Sequence, residues 1–229
     1  MFVTVDRQRK PSLPWATLMI VVACASLFLW LVLAPDVERG QFLRQWGTVP
    51  TRLFDVNAPL SQQFVELRWL RLFTGLFIHL GWLHLVGNLL FLMIFGVPAE
   101  RALGPWRFLL LFLIGGALAN LAEAVMLPLA DAGRPIVGSS GAVSVIIGAY
   151  LSLFPRARLG LVLPLGMFLE FVRIPAPLLI GFWFLLQIAF TFVGPAFGAV
   201  AWWAHIAGFA AGLLFALVSK PAIARRLRA

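Results

Sequence analysis

Residues 106–127 read WRFLLLFLIGGALANLAEAVML, an apolar run with no proline to interrupt a helix. Crossing roughly 30 Å of bilayer hydrocarbon takes about 20 residues of α-helix. A helix is suited to that setting because it satisfies its own backbone groups where no water can. This run is long enough. Comparable runs lie on either side of it, at 14–34 and 82–98 before it and at 140–154, 175–193 and 199–217 after it. Six crossings are therefore expected. Composition agrees: 62% of the 229 residues are apolar and 12% charged, with a mean hydropathy of +0.96, where soluble domains hold about 45–50% and about 25%. The fold class expected is an all-α membrane protein, a six-transmembrane-helix bundle with no sizeable soluble domain.

The connections are read from their polarity. Residues 1–13 form an N-terminal segment carrying Arg7, Arg9 and Lys10. The apolar run after it exceeds the roughly 7–15 residues of a signal-peptide core, so a retained anchor is expected rather than a cleaved signal. Residues 35–72 scatter Trp46, Phe54, Phe64 and Trp69 among charges. Too polar to cross and too aromatic for a plain linker, they are expected to form an interfacial first loop. The stretch 158–173 is apolar but short, with Pro164 and Gly166 inside it. It reads as a membrane-dipping connection, with a seventh crossing as the alternative. The membrane domain thus spans 14–219, followed by a basic tail at 220–229.

The net charge of +9 has a membrane explanation. Lys and Arg flank the apolar runs instead of interleaving with aromatics in a polar stretch, so nucleic acid is not an expected partner. With the N-terminus inside, twelve basic residues fall on inner segments and six on outer ones. The excess puts both termini in the cytoplasm, and short termini on a compact core suggest a bacterial inner membrane. Cys24, the one cysteine, lies in an apolar run and reads as a small hydrophobe.

Polar residues inside spans are costly in hydrocarbon and so are functional candidates. His79 and His84 stand at the entry of the second span, with Asn88 one turn after His84. Ser139 and Ser140 open the fourth within Gly138-Ser139-Ser140-Gly141. His205 stands near the start of the sixth, ahead of Gly208 and Gly212. Spans two, four and six run the same way, and His84, Ser140 and His205 each lie within about six residues of their outer ends. At about 1.5 Å per residue they share a layer about 10 Å deep. One site explains that agreement in depth.

Spacing and chemistry fit such a site. His84 and Asn88, at i and i+4, share a helix face, as do His205, Gly208 and Gly212. The glycines let a neighbouring helix approach closely, and Gly141, Ser144 and Gly148 supply a matching small-residue stripe. A serine hydroxyl becomes a nucleophile when a base takes its proton, and histidine is the usual base. Ser140 is expected to attack a carbonyl while His205 accepts the proton and returns it to the leaving amine. The oxyanion needs donors arranged in advance. Free N–H groups at the helix start that Ser140 opens can supply them, together with the Asn88 amide and the His84 imidazole. With no Asp or Glu placed to orient His205, the expectation is a dyad.

In combination, His84-x-x-x-Asn88, Gly138-x-Ser140-Gly141 and His205-x-x-Gly208-x-x-x-Gly212, in that order on alternate spans, resemble the rhomboid family of intramembrane serine proteases. The resemblance covers roughly residues 66–220. It implies a rhomboid-like bundle in which Ser140 is the nucleophile and His205 its base. It also implies that His84, Asn88 and the N–H of Ser140 stabilise the oxyanion, and that Gly138 shapes the loop before the nucleophile. Glu100-Arg101 with Gly104 resembles the family's turn between the second and third spans. In the first loop Arg71 aligns with the family's Trp-Arg pair, but Leu70 precedes it and Trp69 is one place earlier. The substrates implied are transmembrane proteins, cut without a cofactor.

Plainer readings compete at several positions. Ser139 is expected to be a cap or a loop contact, His79 to hydrogen-bond a nearby carbonyl, and Trp202-Trp203 to belong to an interfacial belt. No H-E-x-x-H or Cys cluster suggests a metal. An intramembrane aspartyl protease needs acidic residues in two spans, and the spans read as free of them. Two other functions compete with proteolysis. One is a catalytically silent rhomboid-like protein that binds membrane helices. The other is a small-solute transporter, which would place polar groups nearer mid-membrane.

Overall fold

The computed structural model describes residues 13–55, 68–165, 168–193 and 200–228. Arg7, Arg9, Lys10, Phe64, Gly166 and Ala199, on which parts of the sequence reading rest, lie outside the described residues.

Among the described residues, five helices are long and apolar enough to cross a membrane: α1 Trp15–Leu33, α3 Trp82–Leu103, α4 Pro105–Met126, α6 Ala176–Val193, and the first part of α7, Trp202–Lys220. A further helix, α2, Asp36–Trp46, lies in the first loop and buries none of its residues. A sixth apolar helix, α5, Ser140–Leu153, has 14 residues, or about 21 Å at 1.5 Å per residue. It is the most enclosed of the helices, with Gly141 through Tyr150 all buried. The bundle's outer surface is the reverse: Leu83 is 89% exposed and Leu33 85%. Large apolar side chains standing out to that degree on several helices need lipid around them. The chain is an all-α, multi-pass membrane protein.

Helix packing follows from glycines on α4, α5 and α7. A Cβ added to Gly208 would meet the Gly141 carbonyl oxygen, and one on Gly212 would meet the Val145 carbonyl oxygen. From the other side, a Cβ on Gly148 would strike the backbone of Phe209 and stand 2.9 Å from the Leu213 nitrogen. Helices α5 and α7 therefore touch backbone to backbone. Helix α4 approaches through Gly115, where an added Cβ would lie 2.8 Å from Val145 Cγ1, and Gly116, where one would lie 2.7 Å from Ala142 Cβ. Lipid tails are as apolar as leucine, so packing of this closeness is what holds membrane helices together.

Two boundaries differ from the sequence reading. The second span continues past Pro98 to Leu103, because a π-helical turn, Leu92–Gly96, precedes the proline. The wider turn relieves the carbonyl that a proline ring strikes in a regular helix. It ends at Gly104, whose φ of 84° reverses the chain directly into α4. Second, residues 158–173, read as a connection, take up strand rather than helix. They form a hairpin, β1 Arg158–Leu165 with β2 Phe168–Pro175, antiparallel and in register from Arg158 opposite Pro175 to Leu165 opposite Phe168. A hairpin returns the chain to the side it left, which removes the seventh crossing. Its two open edges also require hydrogen-bonding surroundings.

Glu100 fixes the first helix to the second. Pro14 leaves the start of α1 without a side-chain cap. The Glu100 carboxylate instead accepts the N–H of Ala16 at 3.0 Å, the N–H of Thr17 at 2.7 Å and the Thr17 hydroxyl at 2.7 Å. These are groups that a helix start leaves unpaired, and a negative charge suits that end of the dipole.

Candidate active site

The loop before α5 is stitched to the first loop. Thr48 and Ile136 exchange backbone hydrogen bonds at 3.1 and 2.8 Å, and the Gly138 N–H donates to Gly75 O at 2.9 Å. Side chains extend the seam: Thr48 Oγ1 donates to Arg71 O at 2.8 Å, Thr74 Oγ1 to Trp46 O at 2.6 Å and Asn120 Nδ2 to Leu72 O at 3.0 Å. The approach to Ser140 thereby gets a fixed path.

Gly138 adopts φ +114°, a conformation that disfavours any residue with a Cβ. Space gives a second reason for glycine. A Cβ there would stand 2.5 Å from His84 Nε2, 2.6 Å from His84 Cε1 and 3.8 Å from Asn88 Nδ2. The tips of His84 and Asn88 thus meet the chain two residues before Ser140. Asn88 is buried, and its Nδ2 has no hydrogen-bond partner among the described residues.

His79 and Ser139 support this corner. His79 Nδ1 lies 3.2 Å from Phe77 O and Nε2 lies 3.2 Å from Ser139 Oγ. A carbonyl only accepts, so Nδ1 carries the proton and Nε2 accepts from the Ser139 hydroxyl. The His79 ring stands edge-on to His84, centroids 5.1 Å apart. Burial, with His84 nearby as the lesser cause, pushes the His79 imidazole down to about 4, so it is neutral at physiological pH. The carbonyl contact expected of His79 is present. Ser139 sits at the N-cap position of α5 but makes no side-chain capping bond; its hydroxyl serves the loop.

Ser140 is half-buried at the first position of α5. Its carbonyl accepts the Ser144 hydroxyl at 2.8 Å. The following residue faces the one before His205: a Cβ on Gly141 would lie 3.4 Å from Ala204 Cβ. Ser140 and His205 therefore flank the point where α5 and α7 cross. His205 is buried, with the Trp202 ring edge-on at 5.9 Å. Its Nδ1 lies 2.7 Å from Gln187 Oε1. Its Nε2 has no hydrogen-bond partner among the described residues.

Two residues escaped the sequence reading. Gln187, in α6, touches the ring of His205. Glu123, near the end of α4, accepts the Ala204 N–H at 3.0 Å and caps α7 just before His205. It is buried and corrects the reading that the spans hold no acidic residue. Both could have been found by the rule that picked out the histidines, since a polar side chain within a span needs a reason to be there.

An all-α membrane bundle with His84 and Asn88 against the loop before Ser140, and with Ala204, next to His205, against Gly141, fits one class of molecule. The chain belongs to the rhomboid family: the Rhomboid domain profile matches residues 66–221. It is 29% identical over 143 residues to mouse (Mus musculus) Rhomboid-related protein 2, covering 62% of this chain and 44% of that protein. To Rhomboid protease GluP of Bacillus subtilis (strain 168) it is 39% identical over 83 residues, 36% of this chain and 15% of that one. It also resembles Inactive rhomboid-related protein 2 of Caenorhabditis elegans, at 25% identity over 225 residues, 94% of this chain and 59% of that protein. The chain thus spans less than two thirds of the length of each, and its relatives include both proteases and inactive proteins.

Proposed function

We propose that the protein is an intramembrane serine endopeptidase that cuts transmembrane segments of other proteins through Ser140 and His205. The observation that carries this reading is a pair of buried polar atoms on either side of the Ser140 helix start, neither with a hydrogen-bond partner among the described residues. One, Asn88 Nδ2, is a donor; the other, His205 Nε2, belongs to the candidate base. Buried groups left in this state are uncommon and call for an explanation. A reacting carbonyl supplies one. His205 Nε2 takes the Ser140 proton as Oγ attacks the carbonyl carbon. The Ser140 N–H, Asn88 and His84 then hold the oxyanion. Collapse of the tetrahedral intermediate passes the proton to the leaving amine, and water, activated by the same nitrogen, releases the acyl group.

The shortness of α5 supports a site below the membrane surface, reached by water from the outer side. A substrate helix must unwind there, because an intact helix shields its carbonyls. Small helix-breaking residues near the cut lower that cost. In this reading residues 1–13 and the tail 220–229 face the cytoplasm of a bacterium, and the protein needs no cofactor.

The test is cleavage of a single-span substrate in liposomes by the natural chain, Ser140→Ala and His205→Ala. Both variants should stay folded and lose at least about 10³-fold in rate, as paired nucleophile and base do. Cleavage surviving Ser140→Ala overturns the assignment. If the natural chain does not cleave and a fluorophosphonate fails to label Ser140, the silent, helix-binding reading replaces it.

A further inference from the structure

We infer that Gln187 is the positioning residue for His205: a neutral amide on α6 that fixes the imidazole tautomer and directs Nε2 toward Ser140. The inference deepens the proteolytic reading above and rests on it.

The amide orientation is set by two contacts. Gln187 Nε2 lies 3.4 Å from the Trp183 carbonyl oxygen, one turn back on the same helix, and can only donate to it. Oε1 therefore faces His205 Nδ1, at 2.7 Å. A carbonyl oxygen only accepts, so Nδ1 must carry the ring proton. In a neutral imidazole that leaves Nε2 with its lone pair, the form a base needs. The nitrogen of His205 that has no hydrogen-bond partner among the described residues is this same Nε2.

Two features set Gln187 apart from its helix. Helix α6 buries only Ala176, Ile180 and Gln187. Large apolar residues on it stand outward, Phe182 63% and Leu185 64% exposed. The helix thus turns its one buried polar side chain onto the candidate base. An aspartate could hold the same tautomer, as in the serine-protease triad, but it would bring a charge among the buried groups Gln187 and His205. The amide gives the same orientation without that desolvation cost. Simple interhelical adhesion between α6 and α7 would use the same hydrogen bond, so the test must read the ring itself.

The experiment is ¹⁵N NMR of histidine-labelled full-length protein in detergent micelles at neutral pH, with His205 signals assigned by their loss in His205→Ala. The natural chain should show His205 protonated on Nδ1. Gln187→Met, similar in size but lacking an acceptor, should leave a mixture of tautomers or the Nε2–H form. In the liposome assay Gln187→Met should lower kcat about 10²-fold, the scale of general-base assistance, with KM little changed. Gln187→Glu, which keeps an acceptor but adds a charge that is costly to bury, should restore the Nδ1–H form and part of the turnover. A natural chain protonated on Nε2, or a tautomer unmoved in Gln187→Met, overturns the inference. So does a loss of turnover that Gln187→Glu fails to restore. Because the NMR arm needs no activity, a silent but correctly protonated protein would sink the protease reading alone.

Discussion

Glu123 on α4 accepts the backbone N–H of Ala204 at 3.0 Å, so a side chain from the third span anchors the first turn of the helix that carries His205. Free N–H groups at a helix start need partners. Here the partner is a buried residue 81 positions away. The placement of His205 therefore depends on α4 as well as on α5 and α6.

Glu123→Ala should leave that turn unsatisfied and cost about 1–3 kcal/mol, the penalty for orphaning a buried hydrogen-bonding group. Thermal unfolding in detergent measures it. Glu123→Gln keeps an acceptor and should fall between the two.

Glu100→Ala removes all three hydrogen bonds that hold the start of α1. The expected result is local: α1 becomes easier to detach, and limited proteolysis near residue 13 accelerates well before the α5–α7 pair unfolds. Equal acceleration throughout the chain would contradict that picture.

Glycine substitutions should divide sharply. Gly212→Ala and Gly208→Ala place a methyl group against the backbone of α5 and should destabilise by about 1–3 kcal/mol, as overpacking does. Gly87→Ala and Gly181→Ala meet nothing within 4 Å and should be neutral or stabilising by up to about 1 kcal/mol. Gly138→Ala, with positive φ and His84 in the way, should reduce turnover more than stability. Unfolding midpoints beside cleavage rates separate these classes.

His79 makes a pH prediction. Its folded-state value is pushed from 6.5 down to about 4, so the folded state favours the neutral ring. Its contribution is fully present above about pH 6.5 and is lost as pH falls toward 4, because protonation then favours the unfolded chain. The unfolding midpoint of the natural protein should drop across that window. His79→Gln should show a smaller drop, and an equal drop in both would remove His79 as the cause.

The crossings were legible in the sequence because spanning a membrane is a local requirement. Residues 106–127 announce a helix by length and apolarity alone, whatever they pack against. The positions of His84, Asn88, Ser140 and His205 near the starts of their helices were equally local, a matter of counting along each run. Hydropathy marked 158–173 as a connection but not as the paired strands that it forms. Strand pairing depends on a partner segment, and apolarity does not distinguish a buried helix from a hairpin. Pro98 misled for a related reason: its tolerance depends on the π-helical turn before it.

Length, hydropathy and helical period are properties of single segments, so the order of residues alone implies a bundle of apolar helices with polar residues at matching depth. It takes the folded bundle to require glycine at 138 for the sake of His84, to have Glu123 cap the helix of His205, and to turn Gln187 to its ring. Each of those facts joins side chains or backbone from different helices. Helix packing sets such distances, and no spacing along one segment encodes them.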